Sequence, residues 1–143
     1  MKKYKKGFTA GTFDLFHVGH LNLLNNAKVF CDYLIVGVND DQLVYSYKNK
    51  TPLINVQDRL KIISNIKAVD KAIIMYNLDK VDAFKKFEFD VVFIGDDWKG
   101  SPRWIQTEKD LKKFGVDVIY IPYTSHISST KIANIILRKN EFK

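Results

Sequence analysis

The chain has 143 residues and a net charge of +7, from 23 lysines and arginines against 16 aspartates and glutamates. This length is typical of one domain with one core, so we expect residues 1–143 to form a single domain. The composition is 46% hydrophobic and 27% charged, and no apolar run approaches the ~20 residues of a membrane span or follows the basic start as a signal peptide would, so we expect a cytoplasmic protein without a membrane span.

The positive charge favours anionic partners. The lysines are spread along the chain, without a sustained basic stripe, an aromatic RNA-binding signature or zinc-finger spacing, so we predict no nucleic-acid partner. A nucleotide and a phosphorylated small molecule account for the local lysines equally well. Cys31 is the sole cysteine, which rules out an intrachain disulfide and favours a packed thiol near a helix end.

The first predicted elements are a strand, a helix and a second strand. Residues 8–10 are short, apolar and compatible with a strand, and residues 21–29 carry apolar side chains at near-helical spacing. We expect this helix to end within residues 30–32. Residues 33–38 form a continuous apolar run of the kind that a buried parallel strand shows.

The middle of the chain begins with a predicted polar loop. Residues 42–52 include Lys48 and Lys50, and Pro52 disfavours helix before it. Helix resumes after Asn55, a good N-cap. A short strand over residues 72–75 and a polar helix over residues 79–86 follow.

The last third repeats the alternation of strand and helix. We expect a strand over residues 91–94, a helix over residues 105–114 ended by Gly115, and a fifth strand over residues 116–121. A loop leads to a final helix that Ser128 or Ser129 caps and that runs to about residue 137. The pattern predicts an α/β fold with a doubly wound, parallel, five-stranded sheet. GxGxxG and GxxxxGK[ST] are both missing from the sequence, which leaves hydride transfer and P-loop hydrolysis without support.

Residues 11–20, GTFDLFHVGH, join the first strand to the first helix and contain two of the three histidines. Such a turn lies at the carboxyl end of a strand, where phosphate-bearing ligands meet a helix N-terminus. His17 and His20 lie on one side of the helix's first turn, and an imidazole pair suits a phosphorus centre that gathers negative charge. Two alternatives remain at this point: a zinc site, for which no further ligands show suitable spacing, and a purely structural pair.

Three motifs resemble one family. Residues 11–20 look like the HxGH signature of the nucleotidyltransferase superfamily, in its cytidylyltransferase branch, and residues 127–132, ISSTKI, resemble its ISSTK or ISTTK signature. Residues 95–100, GDDWKG, resemble a segment of the glycerol-3-phosphate cytidylyltransferases. The motifs occur in family order over nearly the whole chain, which implies a Rossmann-like nucleotidyltransferase fold.

The resemblance implies that a substrate phosphate attacks the α-phosphorus of CTP, transferring CMP and releasing pyrophosphate. Glycerol 3-phosphate is the leading acceptor, giving CDP-glycerol. Transfer to phosphocholine, phosphoethanolamine or another polyol phosphate, adenylyl transfer from ATP, and a non-catalytic nucleotide-binding module are the alternatives. Mg²⁺ bound to the triphosphate, no metal site on the protein itself, and a homodimer are expected on the same ground.

The resemblance also assigns the site residues. His17, His20 and Lys50 would be catalytic, and Lys48 and Lys80 would bind the acceptor. The nucleotide would contact Thr12, Phe13, Asp14, His17, Gly19, His20, Lys50, Asp97, Trp98, Tyr123, Thr124, Ile127, Ser128, Ser129 and Thr130. Tyr123 and His126 stand where the family usually has arginine and glycine, and Lys67 where arginine is common, so the acceptor and, less so, the base stay open.

Overall fold

The computed structural model describes residues 3–122, 124 and 126–141. This part of the chain contains five strands, β1 (Tyr4–Gly11), β2 (Cys31–Asn39), β3 (Lys71–Met75), β4 (Val91–Gly95) and β5 (Asp117–Ile121). Its α-helices are α1 (Val18–Phe30), α2 (Asp41–Lys48), α3 (Val56–Ser64), α4 (Lys80–Phe87), α5 (Pro102–Lys112) and α6 (Ser129–Glu141), and a 3₁₀ helix covers Asp96–Trp98.

The strands form one parallel sheet in the order β3-β2-β1-β4-β5. From β1 the chain adds β2 and then β3 on one side of the sheet, and it then crosses over to add β4 and β5 on the other side. The α/β fold with a doubly wound, five-stranded parallel sheet is therefore confirmed. Because the order reverses at β1, the carboxyl ends of β1 and β4 flank the crevice where open sheets of this kind bind ligands.

The sheet is covered on both faces by helices. One cluster of buried residues includes Leu24 of α1, Val36 of β2 and Ile63 of α3. The other, on the opposite face, includes Ile35 of β2 and Leu111 of α5. Successive residues of a strand point to opposite faces, so the continuous apolar run of β2 fills both clusters.

Most of the predicted strands and helices lie at or near their predicted positions. Asn55 caps α3 by accepting a hydrogen bond from the Asp58 N–H at 3.0 Å, and Gly115 follows α5 with a φ of +75°. Cys31 is buried, and its thiol donates to the Ala27 carbonyl at 3.7 Å.

The prediction of a loop over residues 42–52 is wrong in its first part, because α2 occupies Asp41–Lys48. Asp40 caps the helix at its start, and Asn49 ends it in the left-handed region at a φ of 55°. Pro52 lies four residues beyond the end of α2 and therefore does not restrict it.

The start of α5 also differs from the prediction. The helix begins at Pro102 rather than at residue 105, because the Ser101 hydroxyl oxygen accepts a hydrogen bond from the Trp104 N–H at 3.4 Å. Proline is favourable at the first helical position. In the part of the chain that the structure describes, no helix has the length and apolar character needed to cross a membrane.

Candidate active site

A cavity of about 930 Å³ opens at the carboxyl edge of the sheet. The β1–α1 connection, the end of α2 with the following loop, and the starts of α4, α5 and α6 all contribute to its wall. Every predicted site residue that the structure describes lines this cavity: Thr12, Phe13, Asp14, His17, Gly19, His20, Lys48, Lys50, Lys80, Asp97, Trp98, Thr124, Ile127, Ser128, Ser129 and Thr130. Tyr123 lies outside the described residues.

His17 and His20 form the N-terminal cap of α1. The Nδ1 atom of His17 accepts a hydrogen bond from the Gly19 N–H at 3.0 Å, and the Nδ1 atom of His20 accepts from the His17 N–H at 3.2 Å. The two rings stack with their centroids 3.9 Å apart. A neutral imidazole that accepts at Nδ1 carries its hydrogen on Nε2. Each ring therefore keeps one N–H donor that the cap does not use.

Both histidines are held in the neutral form. Burial lowers the pKa of His20 to about 4, and the neighbouring His17 adds to this effect against the opposing charge of Asp14. Burial also lowers the pKa of His17, with a further contribution from His126. At neutral pH the pair thus supplies hydrogen-bond donors, and positive charge must come from other residues.

Gly19 allows the His17 ring to lie against the helix. A Cβ atom on Gly19 would lie 2.7 Å from Cε1 of His17 and 2.9 Å from its Nδ1. These distances are shorter than a non-bonded contact allows, so any larger residue would displace the capping imidazole. The glycine between the histidines therefore has a steric role in the site.

The Asp14 carboxylate binds backbone N–H groups of the protein itself. Its two carboxylate oxygens accept hydrogen bonds from the N–H groups of Leu53 and Ile54, at 2.8 and 2.9 Å. Its carbonyl accepts a hydrogen bond from the Ser129 hydroxyl. Asp14 thus ties the loop after α2 and the start of α6 to the histidine segment, and a nucleotide contact by its carboxylate stays a prediction.

Arg59 also contributes to this region and was not among the predicted site residues. It is fully buried on α3, where Nη1 donates to the carbonyls of Thr12 and Asn39 at 2.7 and 2.8 Å. Nε donates to the Ile54 carbonyl at 2.8 Å, and Nη2 pairs with Asp41 at 2.6 Å. The available signal was an arginine four residues before Ile63, on the apolar face of the predicted helix.

A tyrosine on α2 reaches the connection between β1 and α1. The Tyr47 hydroxyl lies 3.2 Å from the Thr12 hydroxyl and accepts a hydrogen bond from the Asn39 side chain at 3.2 Å. Tyr47 and Asn39 both line the cavity and were not predicted. Tyr47 belongs to α2, where the sequence predicts a loop, and Asn39 is the last residue of β2.

Among the described residues, four cationic side chains line the cavity. Lys48 and Lys50 are exposed at the end of α2 and just after it. Lys80, at the start of α4, is only 8% exposed, and its Nζ donates to the Leu78 carbonyl at 3.2 Å. Arg103 of α5, which was not predicted, lines the same cavity.

The segment after β4 contributes Asp97 and Trp98. Trp98 is 47% exposed, so core packing does not explain it. Burial raises the pKa of Asp97, and a Cβ atom on Gly95 would lie 2.5 Å from its Oδ1. The glycine therefore lets the Asp97 carboxyl fold back against the end of the strand.

The start of α6 closes another side of the cavity. The Ser128 hydroxyl accepts a hydrogen bond from the Lys131 N–H at 3.0 Å, in agreement with the predicted cap. Thr124 is held by the Asn22 side chain, which donates to its hydroxyl at 3.2 Å. The Ser129 hydroxyl is engaged with Asp14, as described above, while the helix N-terminus faces the cavity with favourable polarity for an anion.

The chain is similar to known proteins in both sequence and structure. The profile of the family described as Cytidylyltransferase-like matches residues 8–135. A glycerol-3-phosphate cytidylyltransferase from Bacillus spizizenii is 40% identical over 90% of this chain and 94% of its own length, and one from Bacillus subtilis is 37% identical with the same coverage. The crystal structure of a lipopolysaccharide core biosynthesis protein from Thermoplasma volcanium is 26% identical, with a TM-score of 0.72 over 87% of this chain and 99% of that one.

Proposed function

The chain belongs to the cytidylyltransferase-like family and is a nucleotidyltransferase, and we propose that it transfers CMP from CTP to glycerol 3-phosphate, releasing pyrophosphate and forming CDP-glycerol. The observation that carries the chemistry is the pair of neutral, stacked histidines at the start of α1, on the wall of the cavity. The names of two relatives that align with 90% of the chain support the choice of base and acceptor.

In the proposed reaction, an oxygen of the acceptor phosphate attacks the α-phosphorus of CTP. The new P–O bond forms as the bond to the bridging oxygen of the β-phosphate breaks, and pyrophosphate carries away that electron pair. The nucleophile is already anionic, so the protein needs no strong general base. Its task is to align two anions and stabilise the charge that develops on the phosphorus oxygens.

His17 and His20 would donate hydrogen bonds from Nε2 to the phosphate oxygens. Because Nδ1 of each ring is already engaged by the helix, both rings are held in place before CTP binds. A preorganised donor of this kind contributes about 3 kcal/mol to transition-state stabilisation. Lys50 would supply the positive charge that the neutral histidines lack, and Lys48 would face the acceptor.

The nucleotide's sugar and base would lie towards the segment after β4 and the start of α6. Asp97 and Trp98, which line the cavity, would meet the base, and residues 127–130 would offer hydroxyls and backbone N–H groups at a helix N-terminus. Thr12, Phe13 and Gly19 would line the phosphate end. Asp14 would act mainly by holding the loop that carries Lys50.

Mg²⁺ would enter the site with the triphosphate. Among the described residues no group of three histidine, cysteine, aspartate or glutamate side chains is arranged to hold a metal ion, and the carboxylate oxygens of Asp14 are occupied by backbone N–H groups. The phosphate oxygens therefore fit the oxygen preference of Mg²⁺ better than these side chains. The ion would neutralise part of the triphosphate charge.

We also propose that the 143 residues act as a single domain and that the enzyme is a cytoplasmic homodimer. The resemblance of the motifs to the cytidylyltransferases supports the dimer, and the use of CTP supports the compartment. Light scattering coupled to gel filtration tests the dimer, for which a mass near twice 16.6 kDa is expected.

The experiment that tests the function is pyrophosphate release from CTP with glycerol 3-phosphate, phosphocholine, phosphoethanolamine and ribitol 5-phosphate, repeated with ATP. We expect CTP with glycerol 3-phosphate to give the highest kcat/KM. A strong preference for ATP would refute cytidylyl transfer. Binding of CTP without turnover on any acceptor would favour a nucleotide-binding module.

Substitution of the histidines tests the assigned chemistry. We expect His17→Ala and His20→Ala to lower kcat by at least 100-fold, since each removes a donor to the transition state. His17→Asn and His20→Gln are matched variants, because asparagine is a good N-cap and glutamine suits the third position of a capping box. They should retain the circular dichroism of the parent and still lose turnover, whereas near-normal turnover in both would show that the imidazoles are only caps.

A further inference from the structure

Lys80 and Arg103 form a cationic wall in the cavity. Resting on the proposed function, we propose that Arg103 binds the phosphorylated acceptor together with Lys80, and that the pair restricts the acceptor to phosphates without an ammonium group. Polyol phosphates would be accepted, and phosphocholine and phosphoethanolamine rejected.

Lys80 is buried with little to neutralise it. Its side chain is 8% exposed, and its hydrogen bond to the Leu78 carbonyl leaves two of three N–H donors available. It forms no ion pair with a described residue. The neighbouring Asp79 offsets part of this charge without forming an ion pair with Lys80, and its Oδ1 atom accepts hydrogen bonds from the Val81 and Asp82 N–H groups at the start of α4.

Arg103 adds a second cation to the same space. Arg103 lines the same cavity as Lys80 and directly precedes Trp104, whose ring lies 5.7 Å from Lys80 Nζ. In agreement with this placement, burial and the positive charge of Arg103 lower the pKa of Lys80 to about 8. Arg103 forms no ion pair within the described residues either. Two like charges on one wall are unfavourable alone and become favourable when an anion lies between them. A phosphate monoester suits the planar fork of a guanidinium beside an ammonium.

The same wall offers little to a positively charged acceptor. The Trp104 ring, which could hold a quaternary ammonium by cation–π interaction, already lies 5.7 Å from Lys80 Nζ. The Tyr47 ring likewise lies 6.0 Å from Lys48 Nζ. The carboxylates lining the cavity in the described part of the chain belong to Asp14, which is engaged by backbone, and to Asp97 on the side assigned to the base.

The test compares Arg103→Gln with Lys109→Gln, which removes a positive charge from an exposed position outside the cavity on the same helix. In Arg103→Gln we expect the KM for glycerol 3-phosphate to rise at least 10-fold and the KM for CTP to stay within twofold. The preference for glycerol 3-phosphate over phosphoethanolamine, measured as the ratio of kcat/KM values, should fall at least 10-fold. Lys109→Gln should match the parent, and an unchanged acceptor KM or preference in Arg103→Gln would overturn the proposal.

A binding measurement separates this inference from the function on which it rests. If the parent releases no pyrophosphate from CTP with glycerol 3-phosphate, the proposed function fails, and calorimetric titration of glycerol 3-phosphate and phosphoethanolamine then decides the inference. Tighter binding of glycerol 3-phosphate by the parent, lost in Arg103→Gln, would support the acceptor site. Equal binding of the two compounds, or binding unaffected by the substitution, would refute it. Thermal melts establish that each variant is folded.

Discussion

The two histidines use their ring nitrogens for different purposes. Nδ1 of each ring completes the start of α1, and Nε2 is left to donate to a ligand. The sequence spacing predicts that the pair lies on one side of the helix. It could not predict the tautomer, because that depends on which backbone N–H group each ring meets in the folded chain.

The lowered pKa of His20 makes stability depend on pH. Its pKa is about 4 in the folded protein against an ordinary value of 6.5, so between these values the unfolded chain binds the proton more tightly. The stabilisation is therefore complete above pH 6.5 and is lost as the pH falls towards 4. After allowance for partial exposure, we expect a loss of about 2 kcal/mol.

Urea unfolding at pH 7.5, 5.5 and 4.5 measures this effect. The matched variant is His20→Gln, which retains a hydrogen-bond acceptor but does not titrate in this range. Its free energy of unfolding should vary with pH by about 2 kcal/mol less than that of the parent. Parallel pH curves for the two proteins would contradict the assignment.

Some residues of the site were predictable and others were not. The histidines and Ser128 belong to short motifs whose chemistry is local to the turn or helix start that carries them. Arg59 and Arg103 are single side chains on helices, and their importance arises only where separate segments meet. Arg103 shows no local pattern that distinguishes it from a solvated arginine, and the one signal for Arg59 is its position four residues before Ile63 on the apolar face of the predicted helix.

At the scale of elements, Arg59 holds four segments around the cavity. From α3 it binds the ends of β1 and β2, the first turn of α2, and the loop that precedes its own helix. Lysine has no fork of donors with which to reproduce these contacts. We expect Arg59→Lys to lower the free energy of unfolding by about 3 kcal/mol, because it leaves buried carbonyl groups that Arg59 now pairs without a donor.

The same substitution should also weaken CTP binding. Arg59 holds the Thr12 carbonyl and thereby anchors the segment that carries the histidines. A KM for CTP at least fivefold higher is expected in steady-state assays. Arg138→Lys, at an exposed position on α6, is the control and should leave stability and KM near those of the parent. If Arg59→Lys unfolds at the parent's urea concentration, the anchoring role is wrong.

The strands were more predictable than α2. A strand buried on both faces is a continuous apolar run, as β2 and β4 show, and such a run is visible in the sequence. In α2 only Val44 is buried, so no apolar periodicity indicates a helix. Its stability comes from the Asp40 cap and from Asp41 and Tyr47, whose partners lie elsewhere in the chain.

At the scale of the molecule, nucleotide binding should stabilise the whole fold, since the cavity joins segments from both halves of the sheet. CTP at 100 times its Kd contributes about 2.7 kcal/mol. For a chain of this size that corresponds to a rise in Tm of about 5–10 °C. Thermal melts with CTP and with ATP at equal concentration measure the difference, and we expect ATP to raise Tm by less than half as much.

The central position of β1 has a consequence for folding during synthesis on the ribosome. β1 is made before the other strands of the sheet, and its pairing with β2 needs no residue beyond position 38, so this pairing can form once residue 39 has left the ribosome. The other edge of β1 pairs with β4, through Gly7 with Val91 and Phe8 with Val92. That edge therefore stays unpaired until β4 has been synthesised. During translation of the intervening residues, the growing chain displays a half-built sheet with an open edge that a neighbouring nascent chain on the same messenger could join. The pace of elongation through that interval therefore sets how long each new molecule is exposed to this risk.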